Sequence, residues 1–507
     1  MKQRIVLDIV VVFTFFSCSS NMRIVERYPA DQKKVEEILK GRGKNASVKK
    51  RITYFPSGRI QSELKFYEGK KHGKYISYYD NSVLASKGKY ENDKMEGKWI
   101  WYAINGKIDS IHQYSNGQLN GDTEFYNDGI LVSKLTYEKN NLNGKFIEYH
   151  LNKKKKTVGE YLNNIPHNRW TWFDKDQRKQ RIITYASGKK NGLSKVWNDE
   201  GLMVFSGEYN NDIKTDKWKW FDSRGVKDSA VIYSNGKING EYKVWHDNGS
   251  LAIKGNLIMN KKHSQWFWYS DDKTLDSSKT YLKGDLHGPA SFLFNDGNIR
   301  KKTNYRSSKI HGVEEIFFQN GQLATSTTYS DGSKSGPFQL WSYNSNPIEQ
   351  GFYKNDSLHG QVKRWYSSGD PASVSYYKNG KLDSLMQIYS LSQQLKKELF
   401  YKDNSEIARI EYYDNGRIKD VSIVSNDSIL YERKWNDVGI EETSDRYVTG
   451  TRLDSDFHLN GSLKYECTYL GEKKHGMEWW FDEDRNPLRI DLYLNGNQLI
   501  SHELIYQ

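Results

Sequence analysis

Cysteine is almost missing: 507 residues contain two, Cys18 and Cys467. No disulfide framework can hold such a chain together. Proline is scarce, with 8 residues against 40 glycines. Aliphatic residues are few as well, because hydrophobic residues total 36% and aromatics alone supply 14%. That balance excludes a thick aliphatic core, and it is too aromatic for a disordered chain. Beyond the first sixteen residues no run is apolar enough to cross a bilayer as a helix. No nucleophile elbow, phosphate loop, paired-histidine zinc motif or paired-cysteine motif occurs. The sequence therefore gives no sign of a reaction, a metal centre or a cofactor. No helix-turn-helix or zinc finger is present, and no nucleic-acid partner is expected. The excess charge of +13 is spread along the chain, with one dense run at Lys153–Lys156. A solvated basic surface accounts for it.

What the chain does have is 36 tyrosines and 15 tryptophans, punctuated by glycine. This suits thin β-structure in which aromatic rings supply most of the buried area.

The N-terminal stretch MKQRIVLDIVVVFTFFSCSS has basic Lys2 and Arg4, an apolar run to Phe16, and Ser17 before Cys18. That order is the logic of a secretory signal, and the run is too short to span a membrane. Its FFSC end resembles the lipobox of bacterial lipoproteins. The resemblance implies a lipoprotein-type signal peptide over 1–18 and lipidation of Cys18. It also implies an outer-membrane location, with membrane contact through the lipid anchor only. A secreted or periplasmic protein is the alternative. Residues 19–48 read as a polar tether, with room for one short helix capped by Asp31 and stopped by Gly41.

From about residue 49 to 507 the chain repeats. Tyrosine recurs at 161, 185, 209 and 233, and again at 281, 305, 329, 353, 377 and 401, in steps of 24 residues or one step of 48. Seven residues after most of these tyrosines stands a small residue such as Gly192, Asp216, Gly240, Ser264 or Gly288. An aromatic pair follows, then a turn such as NDG at 127–129 or DNG at 247–249. Each unit reads as strand, turn, strand, turn, and the small slot reads as a left-handed backbone position. Asn-Gly and Asp-Gly turns predict hairpins with both central residues at positive φ. One hairpin cannot bury its own aromatic face, so neighbours must stack. The expected fold is all-β: an elongated stack of about eighteen hairpin repeats of 24 residues, forming a long twisted antiparallel sheet or solenoid.

Segments such as YSNGKINGEYKVWHDNG (233–249) and YEGKKHGKYISYYDNS (67–82) resemble the bacterial MORN-repeat variant. The resemblance covers nearly the whole chain after residue 50 and degenerates between about 420 and 460. It implies an interaction or scaffold module. Relatives described as antitoxin components imply a dedicated protein partner.

Seven histidines share one slot just before the small residue: His72, His167, His263, His287, His311, His359 and His475. Successive units place them about 9–10 Å apart, whereas zinc ligands bind at about 2.0–2.1 Å. A shared metal is excluded, and the slot reads as scaffold. Trp-x-Trp follows the small slot at Trp99/Trp101, Trp170/Trp172, Trp218/Trp220 and Trp266/Trp268, the last three 48 residues apart. Residues i and i+2 of a strand share a face. The stripe reads either as core or as an exposed binding surface flanked by Lys98, Arg169, Lys217 and Lys219.

The function expected from these features is a non-enzymatic cell-envelope scaffold that binds another protein. The alternatives are an antitoxin-like or immunity-like neutraliser of one partner, and a glycan-binding or carbohydrate-active protein directed at cell-wall polysaccharide.

Overall fold

A computed structural model describes residues 21–41, 43–425, 428–443 and 450–504. The signal segment with Cys18 lies outside the described residues. The fold is all-β. Among the described residues the one helical element is a 3-10 turn at Gly43–Asn45. Thirty-nine strands belong to one antiparallel sheet and five to a second. The chain divides into two units, 2–240 with Met1, and 241–507, ending at Gly240 and beginning at Glu241.

In the first unit hairpins follow one another with little variation. Strand Ile213–Phe221 pairs back with Met203–Asn210 and onward with Lys227–Ser234, all antiparallel. Most strands are eight or nine residues long, because a turn interrupts the chain about every twelve residues. The predicted left-handed slot is present throughout: φ is 66° at Gly97, 56° at Asn168, 57° at Asp216 and 136° at Gly240. Ser264, the slot's least orthodox occupant by residue type, has φ of 60°.

The predicted tether is corrected. Where a helix between Asp31 and Gly41 was expected, strands Asn21–Arg27 and Lys33–Lys40 form a hairpin that continues into Ser47–Tyr54. Asp31 turns the chain at φ 61°. Glu37 explains why the strand wins. Its carboxylate accepts from the Arg23 guanidinium at 2.7 Å on one neighbouring strand and from Arg51 at 2.6 Å on the other. Those cross-strand partners exist only in a sheet.

The turn chemistry is corrected too. At 247–249, 295–297, 319–321 and 414–416 only the glycine has positive φ. The Gly249 N–H donates to the carbonyl of His246, closing a four-residue turn with one left-handed residue. At 127–129 Asp128 and Gly129 are both positive, as expected. Turns with two positive φ values lie mainly at the opposite ends of the strands, as at Asn211–Asp212.

These opposite ends are stitched unit to unit. The Lys190 N–H donates to Asp212 Oδ1 at 2.9 Å, the Leu142 N–H to Asn164 Oδ1 at 2.6 Å, and Lys71 N–H to Asp93 Oδ1 at 2.8 Å. Each bond spans 22 residues. Short polar side chains that tolerate left-handed backbone thus also satisfy the preceding turn.

The second unit repeats this pattern from Leu251 to Trp435 and then changes. Strands Thr451–Phe457, Leu463–Leu470, Lys473–Phe481, Pro487–Leu494 and Asn497–Glu503 make the five-stranded sheet. Its inward side chains Met477, Trp479, Ile490 and Leu492 pack on Ala408, Ile410, Val421 and Ile423 of the long sheet. The predicted degeneration at 420–460 is the place where one sheet ends and the other starts. Cys467, read as a small packed side chain, is fully buried and unpaired.

Candidate interaction face

The four Trp-x-Trp pairs are built alike. A left-handed residue two positions before the first tryptophan kinks the strand, so the glycine on the preceding strand loses its cross-strand partner. In the first unit, pairing jumps from Ser206↔Lys219 to Glu208↔Thr215, and Gly207 lies in the gap. The indole of Trp218 then folds flat over Gly207. A Cβ on that glycine would stand 2.1 Å from Trp218 Cδ2. Gly88 with Trp99 and Gly159 with Trp170 repeat the arrangement, and Gly255 with Trp266 does so in the second unit. Each indole N–H donates at 3.1 Å to the carbonyl ten residues earlier, those of Lys89, Glu160, Glu208 and Asn256. A buried indole needs such a partner.

The stripe is therefore divided. Trp99, Trp170, Trp218 and Trp266 are core, exposed by 2%, 6%, 1% and 2%. They are corrected out of the candidate binding surface. Trp101, Trp172, Trp220 and Trp268 lie beside them on the same face and stay half-buried. Ring centroids in the four pairs are 5.6, 6.0, 5.7 and 6.1 Å apart. The second ring is thus held in place by the first and still reaches solvent.

The cations on this face are not the ones next in sequence. Lys98, Arg169, Lys217 and Lys219 flank a tryptophan by one residue, and one step along a strand points to the opposite face. The lysine over the rings is Lys214, with its ammonium 4.4 Å from Trp218, 5.3 Å from Trp220 and 5.2 Å from Tyr233. In the second unit Lys262 stands 4.7 Å from Trp266, 5.2 Å from Trp268 and 4.9 Å from Tyr281. Burial pushes both ammonium groups below the usual lysine range. Arg181 covers Trp172 at 5.7 Å. These are cation–π contacts in a partly desolvated setting.

Three occupants of the histidine slot hold backbone of the following repeat. His475 Nδ1 accepts from the Asn495 N–H at 2.9 Å and His311 Nδ1 from the Asp331 N–H at 3.4 Å. Glu96 fills the same slot and accepts from the Asn116 N–H at 2.7 Å. All three span 20 residues, so in these repeats the slot caps the turn of the next one, whereas the buried Nδ1 atoms of His72, His167 and His359 accept from no described residue. An Nδ1 acceptor requires a neutral ring, and burial holds the His475 pKa down. Among the described residues no three His, Cys, Asp or Glu side chains gather as a metal site would require.

Three histidines outside the slot have a role that spacing alone did not reveal. His150, His246 and His458 donate from Nε2 to the carbonyls of Phe173, Tyr269 and Phe481 at 3.0, 2.8 and 3.0 Å. The hydroxyls of Tyr79 and Tyr366 do the same to Tyr102 and Tyr389 at 2.6 Å. Each bond spans 23 residues. Aligning the second aromatic of each unit would have exposed this exchange of His for Tyr. Adjacent acids do not converge either: Glu314 is buried against Lys301 at 2.5 Å, while Glu315 lies opposite Lys302 across the strands.

No curated protein matches the chain. Among solved structures it is similar to the Photorhabdus luminescens Tc holotoxin pore at 10% identity, over 92% of this chain and 27% of that one, with a TM-score of 0.15. It is also similar to TcdB2-TccC3 at 10% identity, over 90% of this chain and 30% of that one, with a TM-score of 0.14. The chain thus spans under a third of the length of these two structures. Residues 71–92, 238–258, 310–331 and 358–379 match the MORN repeat variant. The first of these runs from strand Lys70–Tyr78 through Leu84–Glu91 to the left-handed Asn92, one structural repeat. The chain carries MORN-variant repeats in at least these four segments of its hairpin array.

Proposed function

We propose that this chain is a non-enzymatic interaction scaffold of the cell envelope, and that its hairpin face binds another protein. One observation carries the reading: half-exposed Trp101, Trp172 and Trp220, each locked against a buried tryptophan beneath it. Such rings are ordered before binding, so little conformational freedom is lost when a partner covers them. Arg181 over Trp172 and Lys214 beside Trp220 add a cationic rim that favours an acidic or carbonyl-rich partner surface. The lipobox-like FFSC end supports an outer-membrane location for the scaffold, held by lipid on Cys18.

The test compares Trp172→Ala/Trp220→Ala with the parent protein. The double variant is expected to keep its melting transition nearly intact and to lose a partner captured from an envelope extract of the source cell, identified by mass spectrometry. Undiminished capture would remove these rings from the interface. Cys18→Ala is expected to move the protein from the membrane fraction to the soluble one. If it stays with membranes, the anchor is not this cysteine.

A further inference from the structure

In the second unit the sheet face opposite the tryptophan slot forms a groove of about 560 Å³. Its floor crosses the strands around Gly312–Phe317, Leu323–Ser330, Ser333–Trp341, Pro347–Lys354 and Gly360–Trp365. In a chain that is 27% charged, Lys363 is the single charged residue among those lining it. The change is visible along the repeat. The residue just after the left-handed slot is charged in most early units, as at Lys74, Lys98, Arg169 and Lys217. From the unit at 265 it is neutral: Gln265, Pro289, Val313, Pro337, Gln361 and Leu385.

Amides take the place of charge. Gln339 and Gln350 lie directly opposite each other, and Ser326 and Lys363 continue the row on the flanking strands. Neither glutamine makes a side-chain hydrogen bond to a described residue, although both are half-buried. Gln361 donates to the Tyr376 hydroxyl at 2.7 Å and is fixed by it. Beside the amides stand apolar platforms, Phe352 at 43% exposure and Val313 at 49%. Neutral donors and acceptors next to an exposed ring match a ligand with hydroxyls on its edges and C–H groups on its faces.

We infer that this groove binds a neutral glycan. The free amides would pair with sugar hydroxyls, and the Phe352 ring would lie against a pyranose face. An extended peptide is the weaker fit. Its usual way onto a sheet is an open edge, and strands Ser333–Trp341 and Pro347–Lys354 are paired on both sides. The inference is independent of the tryptophan face proposed above, because it uses other residues, all in the second unit.

The test is native electrophoresis of the full chain through gels containing glycol chitin, dextran, mixed-linkage β-glucan or amylopectin, with heparin as the anionic control. Retardation by at least one neutral polymer is expected. Gln339→Ala/Gln350→Ala and Phe352→Ala should each weaken it fivefold or more without a change in melting temperature. Retardation by heparin alone, or by none of the polymers, overturns the inference. So does retardation that both variants retain. If instead labelled decapeptides bind, with the same dependence on Gln339 and Phe352 and no polymer retained, the groove belongs to peptides and the glycan assignment falls.

Discussion

Trp218 lies face down on Gly207, with a hypothetical Cβ at Gly207 only 2.1 Å from the ring. The glycine is not there to turn the chain, because it sits mid-strand in Met203–Asn210. It is there so that the indole can touch backbone. Gly207→Ala should therefore destabilise the protein by about 2–3 kcal/mol through overpacking. Trp218→Ala should cost about 3–5 kcal/mol. Combined, they should cost less than the sum, because removing the ring frees the space the methyl needs. Urea unfolding of the three variants measures this.

The left-handed slot has two grades. At Asp216 φ is 57°, within reach of an ordinary residue, whereas at Gly240 it is 136°. Asp216→Gly should change stability by no more than about 1 kcal/mol. Gly240→Ala should cost about 1–3 kcal/mol, since it adds backbone strain and brings its Cβ within 3.0 Å of Ile232 Cβ. Thermal melts of the pair check the contrast.

Asp420 is a carboxylate that the fold tolerates poorly. It is 7% exposed, opposite Glu411 on one strand and Lys434 on the other, and Ser422 donates to its Oδ1 at 2.6 Å. Its Oδ2 has no partner. Burial, with the charges of Glu432 and Glu411, raises its pKa above the ordinary aspartate value. A raised carboxyl holds its proton more tightly folded than unfolded. Its contribution therefore improves as pH falls through the folded pKa and is least favourable at neutral pH. Asp420→Asn should stabilise the protein at pH 7 by about 1 kcal/mol, and the advantage should fade in acid. Melting temperatures across pH 4–8 give the curve.

Whole repeats should be removable. Tyr185 and Tyr209 occupy the same place in neighbouring units, so deleting 186–209 joins equivalent positions and brings the Asp212 N–H to the Pro166 carbonyl that the Gly188 N–H now uses. The shortened protein should keep a cooperative melt and its β-type circular dichroism. Deleting 186–197 removes a single strand, reverses the next, and should leave the chain unfolded or aggregated.

Much of this architecture can be read from residue order. The tyrosine spacing and the small slot predict the hairpins, and even Ser264 obeys the backbone rule. The 21–40 hairpin is hidden because Val35, Ile38 and Leu39 mimic a helical stripe, and the arginines that decide for a strand come from neighbouring strands. The turns at 247–249 are hidden because the same Asn-Gly letters serve loops of two and four residues. The split of the stripe was legible in principle. A mid-strand glycine lies 11 residues before each buried tryptophan, at Gly88, Gly159, Gly207 and Gly255. The amide groove escapes notice because it depends on which residues of five strands share one face.

The covering of Ile410 and Ile423 by Trp479 and Ile490 has a consequence for how the protein opens. Amide hydrogens in these strands have apolar side chains above them from a second layer. They can meet solvent only when both sheets part together. The strand Asn21–Arg27 is exposed at nearly every residue. Its amides should exchange first and those around Ile410 and Ile490 last, so hydrogen exchange should read out as a gradient of protection that rises toward the two-layered region.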